Sequence, residues 1–136
     1  MIYTDTITIF IYCKKAEKEM WYKKVLKNVM WKRKTVKTVS SDGKLHVSEV
    51  VSITIPHRAG YKPYKEFLAL DDKKDYWTIE TGSNLSMAVL GECNKIIDDN
   101  YRLKDLKRDC TDVVTISAFA DNTNRDYLKH WRIDGV

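Results

Sequence analysis

The sequence contains no run of about 18 apolar residues, the length that a helix needs to cross a membrane. Its first residues also lack the basic stretch followed by an apolar stretch that is typical of a secretory signal. The apolar segment from Ile7 to Tyr12 is short, and the lysines follow it instead of preceding it. We therefore expect a chain that is made and kept in the cytosol, without membrane contact.

Cysteine and histidine are scarce and scattered along the chain. The three cysteines, Cys13, Cys93 and Cys110, are an odd number and form no Cys-x-x-Cys pair. A structural zinc site takes four ligands at regular spacings, and the three cysteines and three histidines match none of these spacings. We therefore expect free thiols in a reducing compartment, with no disulfide, no metal and no cofactor.

Sequence motifs of common enzymes are absent as well. The chain contains no GxSxG, no HExxH, no phosphate-binding loop and no glycine-rich dinucleotide fingerprint. None of His46, His57 and His130 has a nucleophile beside it in the sequence. A cysteine at the end of a strand is more often a small buried hydrophobic residue than half of a pair such as Cys110 with His130. We therefore expect that the protein is not an enzyme.

The residues that are present have the balance of one folded domain. Of the 136 residues, 43% are hydrophobic and 32% are charged, which is typical of a globular chain and not of a disordered one. A chain of this length buries roughly two thirds of its unfolded surface, enough for a core without metal or disulfide support. Residues 1–136 are therefore predicted to form a single domain.

Strands are predicted wherever apolar residues alternate with polar or β-branched ones. In the first predicted strand, Ile7, Ile9 and Ile11 alternate with threonines and aromatic residues. The other predicted strands are residues 21–27, 29–36, 47–55, 76–80, 87–90, 113–119 and 128–133. The predicted fold is mainly β, a small β-barrel or sandwich of about six to eight strands with a long projecting hairpin and one short helix. We expect the strands at the two ends of the chain to pair with each other.

The projecting hairpin is predicted at residues 29–55. Its two alternating runs flank Ser40-Ser41-Asp42-Gly43, a turn signal of the Asp-Gly type. The base of the hairpin is apolar, whereas residues 32–47 are markedly more polar. A tip this polar cannot lie in the core of its own subunit, so we expect it to project into solvent or against a partner.

Two other segments stand apart from the strand pattern. Residues 57–74 form a long connection, with a helical turn expected at residues 64–70, and loops of this length in a compact domain are usually functional or interfacial. Residues 94–107 are the predicted helix, because Ile96, Ile97, Tyr101, Leu103 and Leu106 give a loose apolar stripe.

Charge is distributed unevenly along the chain, whose net charge is +5. Basic residues crowd an early stretch and aspartates gather later, at residues 71–75 and 98–99. Besides an ordinary solvated face, this pattern is consistent with subunits that meet head to tail around a ring, or with binding of phosphate backbone. Because Lys23, Lys24 and Lys27 flank Val25 and Leu26, these five residues are predicted to form an apolar contact ringed by charge, as at many interfaces.

The order of these segments resembles the small β-barrel proteins in the neck of tailed bacteriophages, the head-closure or head–tail connector family. The segments that carry the resemblance are residues 5–10, 21–29, 51–56, 112–116 and 121–135. The resemblance implies a virion protein, made in the host cytoplasm, that assembles as a ring of about twelve or six subunits. Such a homo-oligomer joins the portal or adaptor to the tail and lines the channel through which double-stranded DNA passes without sequence recognition.

In some members of that family, an inserted loop or hairpin projects into the channel and closes it. Placed on this sequence, the resemblance makes the hairpin tip the candidate gating loop, with Thr38, Ser40, Ser41, Asp42, Gly43 and Lys44. Residues 57–74 and 94–107 look like additions to the smallest members, and they are candidate docking surfaces for the adaptor or the tail. Two alternatives stay open: a tail-completion protein of the same neck, and a monomeric basic β-barrel that binds nucleic acid or an acidic protein partner.

Overall fold

The structure is a computed structural model that describes residues 3–15, 17–124 and 126–136. Within these residues it has six strands and two short helices. The strands are β1 Asp5–Lys15, β2 Lys18–Val39, β3 Leu45–Pro56, β4 Met87–Leu90, β5 Val113–Asn122 and β6 His130–Gly135; the helices are α1 Tyr64–Leu68 and α2 Leu103–Asp109.

The six strands form a closed antiparallel barrel. Their order around the barrel is β1-β2-β3-β6-β5-β4, and β4 closes the ring by pairing with β1. Closure satisfies the backbone groups that an open sheet would leave unpaired at its edges. The expected mainly β fold is confirmed, and of its two forms the structure has the barrel.

The first and last strands both belong to the barrel but do not pair with each other. β1 lies between β2 and β4, whereas β6 lies between β3 and β5. The expected pairing of the two ends is therefore wrong. The physical reason is that β1 uses one edge for its own hairpin with β2 and the other edge for β4, so no hydrogen-bonding edge remains for β6.

β2 is one bent strand of 22 residues instead of the two strands that were predicted. The bend lies at a β-bulge, where β1 advances from Asp5 to Ile7 while β2 advances from Leu26 to Val29. Asn28 occupies the bulge with φ of 59°, a left-handed conformation that asparagine tolerates better than most residues. Before the bulge β2 pairs with β1, and after it β2 pairs with β3.

Both faces of β1 are buried, against two separate groups of side chains. Ile7, Ile9 and Ile11 point into the barrel, where Trp77 and Trp131 also pack with ring centroids 5.0 Å apart. On the opposite face, Phe10 packs in a second cluster with residues of the segment 91–112, which covers the outside of the barrel. The buried members of that second cluster are Phe10, Met87, Val89, Cys93, Ile97 and Leu106.

The helix predicted at residues 94–107 is shorter and begins later. Only Leu103–Asp109 is helical, and residues 94–102 are irregular. The carboxylate of Asp98 accepts hydrogen bonds from the backbone N–H groups of Asn100 and Tyr101, at 2.8 and 3.0 Å. Such a local turn competes with helix formation, so the apolar stripe alone gave the wrong starting point.

The long connection after β3 contains α1, as expected for residues 64–70. The strand predicted at residues 76–80 is wrong, because this segment makes only one isolated parallel bridge, between Tyr61 and Trp77. Its residues are nevertheless buried, and Trp77 and Ile79 belong to the barrel core. The segment has a strand-like apolar pattern because its side chains are buried, although its backbone pairs with no neighbouring strand.

Candidate functional site

The outer part of the β2–β3 hairpin projects from the barrel as a two-stranded arm, which we define as residues 34–50. Six residue pairs, from Lys34↔Val50 to Val39↔Leu45, hold the arm together over about 20 Å. The pairing of β1 with β2 ends at Asp5↔Val29, and the pairing of β3 with β6 begins at Val51. Among the described residues, no strand pairs with either outer edge of the arm.

One face of the arm carries exposed aliphatic side chains. Val39, Leu45 and Val47 are 71%, 61% and 57% exposed. Side chains alternate between the two faces of a strand, so Leu45 and Val47 share a face with Val51 and Ile53, which are buried in the barrel. The aliphatic face of the arm is thus the continuation of the barrel interior into solvent, and nothing in the same chain covers it among the described residues.

The tip of the arm is a tight turn with internal hydrogen bonds. The N–H of Gly43 donates to the carbonyl of Ser40, and the N–H of Ser40 donates to the carbonyl of Lys44, both at 2.9 Å. The Asp42 carboxylate accepts bonds from the Ser40 hydroxyl and from the Lys44 N–H, and these bonds lower its pKa. Gly43 has φ of 84°, which suits glycine. The expected Asp-Gly turn is present.

The base of the arm is fastened to the barrel at two points. Where β1 begins, the carboxylate of Asp5 accepts a hydrogen bond of 2.9 Å from the N–H of Trp31. Further out, the Arg33 guanidinium binds Glu49 across the hairpin at 2.9 Å and Asp112 at 2.8 Å. These ion pairs are exposed and screened by solvent, so they orient the arm more than they stabilise it.

The arm and its base are basic. Residues 32–50 contain five basic side chains, Lys32, Arg33, Lys34, Lys37 and Lys44, against two acidic ones, Asp42 and Glu49. The predicted gating residues Thr38, Ser40, Ser41, Asp42, Gly43 and Lys44 all lie together at the end of this arm. The arrangement is a basic, partly aliphatic surface.

The predicted interface at residues 23–27 is not a continuous surface. Leu26 is only 6% exposed and belongs to the barrel core, so it cannot contact a partner. Val25 is half-buried, and Lys23 and Lys27 are partly or fully exposed. The apolar centre that was expected between the lysines is therefore reduced to Val25, because neighbouring residues of a strand point to opposite faces.

Lys24 has a partner within its own chain. Its ammonium group donates to the backbone carbonyls of Lys73 and Lys74. Burial lowers the pKa of Lys24, while the neighbouring Asp72 and Asp75 act in the opposite direction. Part of the early basic stretch thus meets part of the later acidic stretch inside one subunit instead of across a subunit interface.

A groove that no sequence pattern predicts lies at the opposite end of β2; we call it the base groove. Its volume is about 920 Å³. Four apolar side chains lie in it, and charged side chains from the start of β2 and from residues 98–104 surround them. The apolar residues are Trp21, Leu85, Ile97 and Leu103; the charged ones are Glu17, Lys18, Glu19, Asp98, Asp99, Arg102 and Lys104. No local signal in the sequence brings these separate segments together.

Glu80 and His130 lie outside the arm and the base groove, and both have hydrogen-bond partners within the chain. Glu80 is 7% exposed, and its carboxylate accepts bonds from the Ser83 N–H, the Ser83 hydroxyl and the Ser86 hydroxyl, at 2.8, 2.5 and 2.9 Å. The ring nitrogens of His130 face the Asn122 amide and the Leu128 carbonyl. These contacts hold turns in place.

Within the part of the chain that the structure describes, no three His, Cys, Asp or Glu residues are grouped so that they could hold a metal ion. The helices among the described residues are too short and too polar to cross a membrane.

The fold and site define a closed six-stranded barrel with one projecting basic arm. Residues 2–136 match the model of DUF6751, a family of unknown function, and the chain belongs to this family. No curated protein and no solved structure matches the chain.

Proposed function

We propose that the protein is a structural subunit of the neck of a phage or prophage particle. In this role a homo-oligomeric ring of barrels joins the portal or adaptor to the tail and surrounds the DNA channel. The proposal rests on the resemblance in segment order described above, and the observation that carries it is the arm. A barrel that needed only to be stable would not extend a 20 Å two-stranded ribbon, about the length of a whole average strand, into solvent.

Three properties of the arm suit such an assembly. Its aliphatic face needs cover, because large apolar side chains grouped on a surface mark interaction sites. Its lysines at the open edge of β2 discourage unspecific strand pairing. Its tip carries small polar residues and no aromatic side chain on which a DNA base could stack. Such a surface suits a channel along which DNA slides.

Deletion of the gene in the phage or prophage that carries it is the experiment that tests the proposal. Loss of a neck subunit should leave DNA-filled heads and complete tails that do not join, as seen by electron microscopy of the lysate. Expression of the wild-type chain in the same cells should restore joined particles. Normal particles without the chain would contradict the proposal. Tails of abnormal length, with normal heads, would favour the tail-completion role.

A second candidate function follows from the charge of the arm. Five basic side chains within residues 32–50 could place a monomeric barrel on nucleic acid. This alternative predicts micromolar or tighter binding of duplex DNA at physiological salt, with affinity that falls steeply as salt rises. The neck role predicts weak binding, because strong phosphate contacts would hold DNA that has to slide. Fluorescence anisotropy with a labelled duplex separates the two.

A further inference from the structure

We infer that the arm of one copy docks in the base groove of a second copy, so that successive subunits associate head to tail. The inference rests on the proposed function, since it names the contact by which copies in a ring would join. Its occupant is therefore a second copy of this chain.

The arm supplies a surface that is incomplete in the single copy. Val39, Leu45 and Val47 are all more than half exposed on one face. Val39 pairs directly with Leu45, and Lys37 pairs directly with Val47, so the three aliphatic side chains and one lysine form a continuous patch. A partner for this patch must offer apolar side chains together with negative charge.

The base groove offers that combination. Trp21 and Leu103 are half-buried there, and the Trp21 indole is fixed because its N–H donates to the Leu85 carbonyl at 3.0 Å. A volume of about 920 Å³ can receive several side chains of a hairpin tip. A fixed aromatic side chain in a groove is the kind of anchor on which protein interfaces concentrate their binding energy.

Charge favours the arm-to-groove contact over contact between two arms. The groove is lined by four carboxylates and three basic groups, whereas residues 32–50 carry five basic groups and two carboxylates. Two arms would bring like charges together, which is unfavourable, whereas an arm and a groove bring opposite charges together. The same attraction makes the contact dependent on salt.

The positions of the two surfaces make the association open-ended. The groove includes Lys18 and Glu19 at the start of β2, and the arm contains Val39 at the end of the same strand. Because β2 is one continuous strand between them, the arm of a copy does not fold back into its own groove. Two different surfaces that fit each other form a heterologous contact, which generates rings where the rotation closes and filaments where it does not.

Charge reversal tests the contact. The arm variant carries Lys37→Glu and Lys44→Glu, and the groove variant carries Glu19→Lys and Asp99→Lys. Each should weaken self-association of the purified chain by about tenfold or more, measured by analytical ultracentrifugation up to millimolar concentration. The control variant with Lys65→Glu and Lys129→Glu has the same charge change as the arm variant on exposed residues of other segments, and it should associate like the wild type.

Mixing the variants gives the sharper result. The intact arm of the groove variant fits the intact groove of the arm variant, and the reversed arm fits the reversed groove. An equimolar mixture should therefore regain association, with the two variants alternating in a 1:1 ratio. A chain with all four substitutions should associate again, because the charges are exchanged on both sides. Self-association that neither variant weakens, or a wild-type chain that stays monomeric at millimolar concentration, overturns the inference.

The two proposals fail separately. If the wild-type chain stays monomeric but deletion of the gene leaves heads and tails unjoined, the neck function stands and the arm-to-groove contact falls. If the mixed variants regain 1:1 association but particles without the chain are normal, the contact stands and the neck function falls.

Discussion

At the scale of single residues, three isoleucine side chains of β1 are among the most deeply buried in the barrel core. Ile7, Ile9 and Ile11 are no more than 1% exposed. They lie at every second position, which in a strand is one face. The opposite face of β1 is also buried, at Phe10, because the segment 91–112 covers it. A substitution at these positions should therefore leave a cavity with little room to relax.

Truncation of one of these side chains tests the core. Ile9→Ala should lower the free energy of unfolding by about 2–5 kcal/mol, the usual cost of a buried isoleucine, in urea denaturation followed by fluorescence. The matched control is Ile96→Ala, at a side chain that is 62% exposed, which should change stability by about 0.5 kcal/mol or less. Equal effects of the two substitutions would contradict the described core.

Tyr64 makes stability depend on alkaline pH. Its hydroxyl donates to the Tyr12 carbonyl at 2.8 Å, and burial, as the largest cause, raises its pKa from 10.0 to about 12. The folded state therefore favours the neutral phenol. Its stabilising effect is complete below pH 10 and is lost as the pH rises towards 12, because the unfolded phenol loses its proton first.

The variant Tyr64→Phe isolates this effect. It should be less stable than the wild type by about 1 kcal/mol at pH 7, because the hydrogen bond is missing. Between pH 10 and 12 its stability should fall less than that of the wild type, so the two curves converge. Parallel curves of unfolding free energy against pH would contradict the raised pKa.

The alternation of side chains along a strand predicts which residues share a face. It does not predict which face is buried unless the register between strands is known. That Val25 and Leu26 point to opposite faces follows from any strand, so one of the two had to leave the predicted interface. Which one turns inward depends on the pairing of Ile7 with Leu26 across β1 and β2. Lys24 contacts residues 73 and 74, which lie about fifty residues away along the chain, so no sequence pattern predicts this contact.

At the scale of elements, the arm was predictable because its signals are local. Two alternating runs and an Asp-Gly turn specify a hairpin without reference to the rest of the chain. The segment 94–102 was not predictable in this way. Its apolar side chains pack on the outer face of β1, as Ile97 does beside Phe10, while Asp98 holds the backbone in a turn. Tertiary packing thus produced a helix-like pattern in a segment that is not helical.

Shortening the arm separates its function from the fold. Replacing residues 38–46 by Asn-Gly closes a two-residue turn directly on the pair Lys37↔Val47. The barrel should keep its far-ultraviolet circular dichroism and change in stability by about 0.5 kcal/mol or less, because the removed residues touch no core. Docking of the arm in the base groove predicts that particles with the shortened chain do not join heads to tails. A gating role alone predicts instead that the shortened chain assembles but retains DNA poorly. This outcome is measured as the fraction of DNA-filled heads.

A full-length control belongs with the shortened arm. Ser41→Ala keeps the arm at its length and alters one exposed side chain, so particles with this variant should retain DNA like the wild type. If particles with the shortened arm form and retain DNA normally, the arm neither gates the channel nor joins the subunits.

At the scale of the whole molecule, the order of the strands around the barrel is the feature that is hardest to predict from the sequence. The chain predicts strands, but which strands become neighbours depends on pairings far apart in sequence, such as Ile7↔Leu90 and Val51↔Gly135. The bulge at Asn28, the closure by β4 and the cover by the segment 91–112 act together to give one barrel with a single projecting arm. Together they also place the arm and the base groove at opposite ends of β2.

The most direct test of the neck function is the location of the chain in purified particles. Cryo-electron microscopy of the particle encoded beside this gene should show barrels in a ring between portal and tail, with about six or twelve copies. Each arm should point towards the channel or against the neighbouring barrel. Particles that lack the chain altogether, or that carry it outside the junction of head and tail, would contradict the account.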